Sequence, residues 1–129
     1  MSTRAIIALP LEGGGYETAW NWNDGYPDGL GKRLRRYFKE EWQVKQLIRE
    51  HSFSCMMGPR EIQKYKKTLD RGDIIVRFSN AQCLLKHSHD GKVVSGEGPN
   101  GYFKDIPSML EEDINYVYAF ENGKWNTYK

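Results

Sequence analysis

Alternating apolar and polar positions mark the N-terminal part of the chain as a pair of strands. Residues 3–9 (TRAIIAL) are apolar and β-branched enough for a buried strand, and residues 16–23 (YETAWNWN) alternate. The glycines at 13–15 separate the two segments and favour a turn, so the pattern predicts a hairpin. Trp20 and Trp22 fall on the same side of the second strand, and we expect core positions for both rather than an exposed stacking surface.

The same alternation returns near the C-terminal end of the chain. The segments NYVYAF at 115–120 and WNTY at 125–128 each alternate, and the dipeptide Asn122-Gly123 lies between them. Asn-Gly is a strong signal for a tight hairpin turn because both residues tolerate positive φ angles. The pattern therefore predicts a second hairpin.

Between the hairpins the apolar spacing changes to that of helices. Residues 30–38 and 44–48 carry apolar side chains three and four positions apart, which predicts two helices, or one helix with a break near Glu40. Gly58-Pro59 then interrupts the helical pattern, and because proline is acceptable at the first position of a helix, a third helix is predicted to begin there. The three apolar stripes comprise Leu30, Leu34, Tyr37 and Phe38; Val44, Leu47 and Ile48; and Ile62, Tyr65 and Leu69.

The remaining segments are shorter. IIVRF at 74–78 predicts a strand, AQCLLKH at 81–87 a strand or a short helix, and the turn-rich residues 90–103 a pair of strands. Residues 106–113 predict one or two helical turns. Strands at both ends with helices between them predict a single α+β domain over residues 1–129. We expect an antiparallel sheet built from the two hairpins, with two or three helices packed on one face.

Charge is unevenly distributed, although the whole chain carries a net charge of only +2. Residues 30–72 hold twelve Lys and Arg against five Asp and Glu, whereas residues 1–29 and 88–129 are each net acidic. A basic middle segment indicates a polyanion or an acidic protein surface as partner, although basic helix faces also serve solubility alone. The residues predicted to contact a partner are Arg33, Arg36, Lys64, Lys66, Lys67 and Arg71.

The segment DGYPDGLG at 24–31 has a structural and a functional interpretation. In the structural one, Asp24 accepts backbone hydrogen bonds, Gly25 allows a positive φ angle, and Asp28 caps the helix that follows. In the functional one, the turn is a ligand or anion site at a helix N-terminus. The residues predicted for such a site are Trp22, Asp24 and Tyr26.

Two cysteines and two histidines have a spacing that suits zinc. Each Cys-His pair is four residues apart and would share one face of a helix. The apolar neighbours of both cysteines favour buried thiols instead, so we predict no cofactor. The alternative is zinc bound through His51, Cys55, Cys83 and His87.

Catalytic motifs are missing from the sequence. It contains no H-E-x-x-H or G-x-S-x-G, and Arg33 stands where a P-loop needs Ser or Thr for magnesium, so we predict a protein that is not an enzyme. No segment is apolar enough for a signal peptide or a membrane span, and two cysteines do not indicate a disulfide framework. We therefore expect a cytoplasmic protein.

Three landmarks together resemble a family of small proteins from bacteriophages and prophages. They are MSTR at 1–4, W-x-D-G-Y-P-x-x-x-G at 22–31 and Y-x-Y-x-F-x-x-G-K-W at 116–125. Family members carry an HWDGYP segment, whereas here Asn23 is inserted after Trp22 and no histidine precedes that tryptophan, so no role of the histidine is carried over. The resemblance implies an accessory gene of a mobile element, expressed in an infected or lysogenic bacterial host.

Small phage accessory proteins are frequently inhibitors of host defence, and this context suggests the leading hypothesis. The protein would be an anti-CRISPR that blocks a Cas nuclease by protein–protein contact, with the effector's nucleic acid or guide RNA as a further contact. One alternative is a small-ligand or nucleotide-binding protein, or an enzyme, with its site at the DGYP turn. Another is a nonspecific nucleic-acid binder, whose affinity would fall steeply with salt.

Overall fold

The structure, a computed structural model, describes residues 3–69, 72–86 and 101–129. The strands in these ranges are β1 (Ala5–Pro10), β2 (Tyr16–Asn21), β3 (Ser52–Phe53), β4 (Cys55–Met57), β5 (Ile74–Arg77), β6 (Cys83–Lys86), β7 (Tyr102–Phe103), β8 (Tyr116–Glu121) and β9 (Lys124–Tyr128). The α-helices are α1 (Lys32–Tyr37), α2 (Glu41–Ile48), α3 (Pro59–Tyr65) and α4 (Ile106–Leu110). None of the helices in the described ranges is long and apolar enough to cross a membrane.

Both predicted hairpins are present, and the α+β class is confirmed. β1 pairs antiparallel with β2, and the three glycines between them all have positive φ angles. β8 pairs antiparallel with β9 around Asn122 and Gly123, whose φ angles of 54° and 77° are those that a tight hairpin turn requires. The predicted strand at 74–78 is β5, and the segment at 81–87 contains a strand, β6.

The large sheet is mixed rather than antiparallel as predicted. Its strand order is β3-β2-β1-β8-β9, with β7 paired to β2, and the two hairpins join through parallel pairing of β1 with β8. β3 also runs parallel to β2. The central strands β1 and β8 are buried along most of their length, and parallel strands generally occur where both faces of a sheet are covered.

Helices cover both faces of this sheet, whereas the sequence predicted one. Ile7 of β1 packs in a core cluster with Leu34 of α1 and Leu47 of α2. Its neighbour Ile6 points to the opposite face and packs in a second cluster with Met109 of α4. The second cluster also contains Trp20, which confirms the core position predicted for it. The alternation of β1 therefore separates two apolar layers, each with its own helical cover.

A second, three-stranded sheet was not predicted. Its order is β4-β6-β5, and both pairings are antiparallel. One face contributes Met56 and Leu84 to the core cluster that contains Ile7, so both sheets share one core. The other face packs against Ile62 of α3. The molecule therefore has α3 outside the small sheet and α4 outside the large one.

The predicted break near Glu40 is confirmed. α1 ends at Tyr37, and the Gln43 side chain in the first turn of α2 accepts hydrogen bonds from the backbone N–H groups of Lys39 and Glu40, at 3.0 and 3.1 Å. The indole N–H of Trp125 donates to the Phe38 carbonyl at 2.8 Å, so the C-terminal hairpin holds the break.

The third predicted helix begins at Pro59 but ends at Tyr65, followed by a short 3-10 turn. Predictions for 70–71 and 87–100 lie outside the described residues.

Tyr118 connects the centre of the large sheet to the DGYP turn. It is buried, and its hydroxyl donates to the Gly25 carbonyl at 2.6 Å. Burial raises the pKa of Tyr118 above its ordinary value, so the hydroxyl keeps its proton for this bond. Gly31 lies against the same ring, because a Cβ at Gly31 would come within 3.0 Å of a ring carbon.

We expect Tyr118→Phe to lower the free energy of unfolding by about 1–3 kcal/mol, because a buried carbonyl loses its donor. Urea denaturation followed by circular dichroism measures this. Tyr116→Phe is the matched control, since that ring stacks on Tyr118 and its hydroxyl has no hydrogen-bond partner among the described residues. Equal stability of the two variants would show that the hydroxyl does not hold the turn.

The Glu121 carboxylate, at the end of β8, accepts three hydrogen bonds from side chains. The donors are Tyr16 at 2.9 Å, Tyr128 at 2.7 Å and the Asn126 amide at 3.0 Å. Burial alone would raise the pKa of Glu121, but these bonds outweigh burial and lower it. Burial, with the hydrogen bond to Glu121, also raises the pKa of Tyr16 to about 12. The cluster links β2, β8 and β9 at one end of the sheet.

The lowered pKa predicts a pH dependence of stability. Unfolded Glu121 titrates near 4.5, so the stability that its native bonds contribute is present above that pH and is lost as the pH falls through the lowered native pKa. We expect Glu121→Gln to be less stable than wild type at pH 7 and to lose less stability between pH 5 and pH 3. Urea unfolding across this range, with exposed Glu12→Gln as control, measures the difference. Parallel pH profiles for wild type and Glu121→Gln would contradict the assignment.

Candidate functional site

The backbone of the DGYP turn has a structural role. The positive φ angle of the turn, 59°, is at Asp24 and not at Gly25, where it was predicted. Gly25 is buried, and its N–H donates to the Thr3 carbonyl at 2.9 Å. A Cβ at Gly25 would approach Ala5 and Thr3 to 3.0 Å. The turn is therefore packed directly against the start of β1, in a place that only glycine fits without a shift.

The side-chain roles predicted for the two aspartates are wrong. Asp24 is exposed, and its carboxylate has no hydrogen-bond partner among the described residues; its backbone carbonyl accepts from Leu30 instead. Asp28 caps no helix, because residues 27–31 form a π-helical turn that runs into α1 without a side-chain cap.

The three residues predicted for a ligand site at the turn do not all converge, because Asp24 and Tyr26 line one small recess whereas Trp22 lies outside it. Trp22 turns toward the second core cluster, where its ring lies 5.7 Å from that of Trp20 and its N–H donates to the Ser52 hydroxyl at 2.8 Å. Asp24 lines a small recess of about 90 Å³. Of the three, only Tyr26 lines the larger cleft described next, and it is 44 % exposed.

An open cleft of about 630 Å³ lies between the DGYP turn with α1 and the start of α3. We call it the basic cleft. The DGYP turn and α1 contribute Tyr26, Asp28, Gly29, Lys32, Arg33, Arg36 and Tyr37; the start of α3 contributes Gly58, Pro59, Arg60 and Glu61; and Gln82 precedes β6. The predicted ligand turn and the predicted basic patch thus meet in one place, because the turn contributes Tyr26 and the patch contributes Arg33 and Arg36.

Arg33 is held in place at the cleft. Its guanidinium donates to the Gln82 side chain at 3.0 Å and forms an ion pair with Glu61. Glu61 also accepts from the Gly58 N–H at 3.1 Å, so it closes the first turn of α3. This network joins α1, which packs on the large sheet, to α3, which packs on the small one. Arg33 is therefore a structural and pre-oriented cation rather than a free one.

Three other cations of the basic cleft have no such partner. Lys32, Arg36 and Arg60 are exposed, and none of them lies within 4 Å of a carboxylate among the described residues. Arg36 lies 5.8 Å from the centre of the Tyr37 ring, a distance at which a guanidinium is attracted to an aromatic face. With Glu61 committed to Arg33, Asp28 is the remaining carboxylate of the lining, so the cleft is cationic.

The predicted partner-binding residues separate into two groups. Arg33 and Arg36 line the basic cleft, whereas Lys64, Lys66 and Lys67 are exposed on α3 and the 3-10 turn after it and do not line the cleft. Arg71 lies outside the described residues. Arg60 and Lys32 belong to the basic segments of the sequence but were left out of the predicted contact set. The four-residue spacing of Lys32 and Arg36 on a helix, and the position of Arg60 directly after Gly58-Pro59, are the signals that place them together.

The residues considered for zinc lie on strands and loops. Cys55 is on β4 and Cys83 on β6, so the helical spacing proposed for the two Cys-His pairs does not apply. Both cysteines are buried in an apolar cluster with Ile62 and Leu85, and neither forms a disulfide. His87 lies outside the described residues, and no group of three or more metal-ligating side chains occurs within them.

No protein-family model, curated protein or solved structure matches this chain. The resemblance to phage and prophage proteins therefore stays a prediction.

Substitutions of Asp24 separate the structural and functional interpretations of the turn. A left-handed backbone costs alanine roughly 1 kcal/mol that glycine does not incur, so we expect Asp24→Ala to be less stable than Asp24→Gly by about that amount. Thermal and urea unfolding measure this. If the turn is structural, both variants bind partner or ligand in proportion to their folded fraction. A stable Asp24→Gly protein that has lost binding would instead assign the carboxylate to a ligand.

Proposed function

We propose that this protein is a phage or mobile-element accessory protein that binds and inhibits a host defence nuclease, foremost a Cas effector, without catalysis. The basic cleft is the proposed contact. The setting is supported by the MSTR, WNDGYP and GKW landmarks, and the mode of action by the lack of catalytic motifs in the sequence.

The single observation that carries the proposed contact is the composition of the basic cleft. It combines the exposed cations Lys32, Arg36 and Arg60 with the exposed ring of Tyr26. Arginine and tyrosine are the residues that most often dominate the energy of protein interfaces, because each combines a large contact area with directed hydrogen bonds. A cationic cleft complements an acidic protein surface or the nucleic acid that a nuclease holds.

The rigidity of the cleft also favours a binding role. Arg33, Glu61, Gly58 and Gln82 fix the relation between α1 and α3 before any partner arrives. A pre-formed site has less ordering entropy to lose on association than a flexible one, so more of the contact energy remains as affinity.

A charge-reversal pair tests the proposal. Arg36→Glu with Arg60→Glu inverts two free cations of the basic cleft, and Lys64→Glu with Lys67→Glu is the matched control outside it. We expect the cleft variant to weaken inhibition by roughly thirtyfold or more, equivalent to about 2 kcal/mol. The control should stay close to wild type. Arg33 is left intact because its bonds stabilise the fold.

The measurement is the plating efficiency of a targeted phage on a panel of strains, each with one active CRISPR type and an isogenic strain lacking the effector. Wild-type protein should raise plating on one strain of the panel and leave its isogenic partner unchanged. No rise on any strain would show the proposed function to be wrong. Full inhibition by the cleft variant, with circular dichroism unchanged, would move the contact to another surface.

A further inference from the structure

We infer that the basic cleft takes a phosphorylated nucleoside, with the base on Tyr26 and the phosphate on the arginines. This inference rests on the proposed role of the cleft as the contact site and names the chemical group that it accepts. The group is either a free mononucleotide or one unit of a single strand, such as the nucleic acid that a defence nuclease carries.

The size of the cleft suits such a ligand. Its volume of about 630 Å³ falls within the range of small-molecule sites. The recess of about 90 Å³ beside it shares Tyr26, Gly29, Arg33 and Glu61 with the cleft, so the concave surface continues past the tyrosine.

Tyr26 offers an oriented aromatic face. The ring lies against Gly29, because a Cβ at Gly29 would come within 3.0 Å of a ring carbon, yet 44 % of the residue is exposed. The backbone below the ring is fixed in turn, since Tyr118 donates to the carbonyl of the preceding residue, Gly25. A ring that is held from one side and open on the other is the arrangement on which nucleobases stack.

The cations around the ring suit phosphate. Arg36 and Arg60 each present a planar fork of donors that matches two oxygens of a phosphate, and Lys32 adds a point charge. Arg33 contributes positive charge with its geometry already set by Glu61 and Gln82.

A bare anion or an acidic side chain would use only the cations and leave the exposed ring without a partner. A nucleotide uses both, because it carries an aromatic base for the ring and a phosphate for the cations in one molecule. Asp28, at the same cleft, is an acceptor for a base amine or a sugar hydroxyl.

The test is fluorescence anisotropy of a labelled six-nucleotide single-stranded oligodeoxyadenylate, with AMP, adenosine and inorganic phosphate as competitors. We expect the logarithm of the association constant to fall linearly with the logarithm of the salt concentration. The slope should be about −2, because three free cations contact a single strand. Tyr26→Ala should weaken binding by roughly tenfold, because stacking on one base is lost. Arg36→Gln with Arg60→Gln should weaken it further and flatten the salt slope, while Lys64→Gln with Lys67→Gln stays within about twofold.

The competitors identify the source of the nucleotide. Competition by AMP as strong as that by unlabelled oligonucleotide would assign a free mononucleotide, and competition by strands alone would assign a nucleic acid. Inorganic phosphate competing as well as AMP, binding unchanged in folded Tyr26→Ala, or no binding of the labelled oligonucleotide would each overturn the inference.

The outcome is separable from that of the proposed function. Inhibition in cells that depends on Arg36 and Arg60, together with no nucleotide binding, would leave the proposed function standing with an acidic protein surface as the contact. Nucleotide binding that depends on Tyr26, together with no inhibition on any strain, would leave this inference standing and refute the inhibitor.

Discussion

The parallel pairing of β1 with β8 is the constraint on which the rest of the molecule depends. It joins the first strand of the chain to a strand more than a hundred residues later, in register from Ala5 with Tyr116 to Ala8 with Ala119. Both strands thereby become central and buried, and their hairpin partners β2 and β9 lie on opposite sides of them in one sheet. The same register brings Tyr118 beneath the DGYP turn, where its hydroxyl meets the Gly25 carbonyl. The position of the turn, and therefore of α1, follows from a contact between the two ends of the sequence.

The basic cleft is a consequence of having two sheets rather than one. The small sheet shares its inner face with the main core through Met56 and Leu84, and this sets α3 opposite the DGYP turn. Arg33 and Glu61 then bridge the gap at one point. A half-buried ion pair of this kind contributes modest stability, because the loss of hydration offsets much of the attraction, but it fixes geometry. Its effect here is to hold the two sides of the cleft apart at a set distance and to leave the neighbouring cations available.

Local patterns were sufficient for the two hairpins and the main helices, and they failed for very short strands and for pairings that are not local. Alternation and Asn122-Gly123 identify the hairpins, and helical spacing with Gly58-Pro59 identifies the helices, because each signal lies within a few residues of the element it describes. The parallel join of β1 to β8 has no local signature. The strands β3 and β4 escaped detection because SFSCMM is a short run without clear alternation, buried on both sides by other elements. At the site, charge and turn chemistry identify Arg33, Arg36 and Tyr26. That Arg60 lines the basic cleft and Lys64 does not depends on which end of α3 faces α1, and no local pattern predicts this.

The structural and functional interpretations of the DGYP segment need not be alternatives, because they concern different atoms of adjacent residues. Gly25 is buried, and its N–H and carbonyl are both bonded into the sheet region, which accounts for the tight turn. Tyr26, the next residue, turns outward, rests on Gly29 and keeps nearly half of its surface in solvent at the edge of a cationic cleft. The turn needs no tyrosine, since its backbone geometry is set by Asp24, Gly25 and Pro27. A large aromatic side chain left half exposed on a backbone this rigid gains little for the fold, whereas rigidity is what lowers the entropic cost of using such a ring for binding.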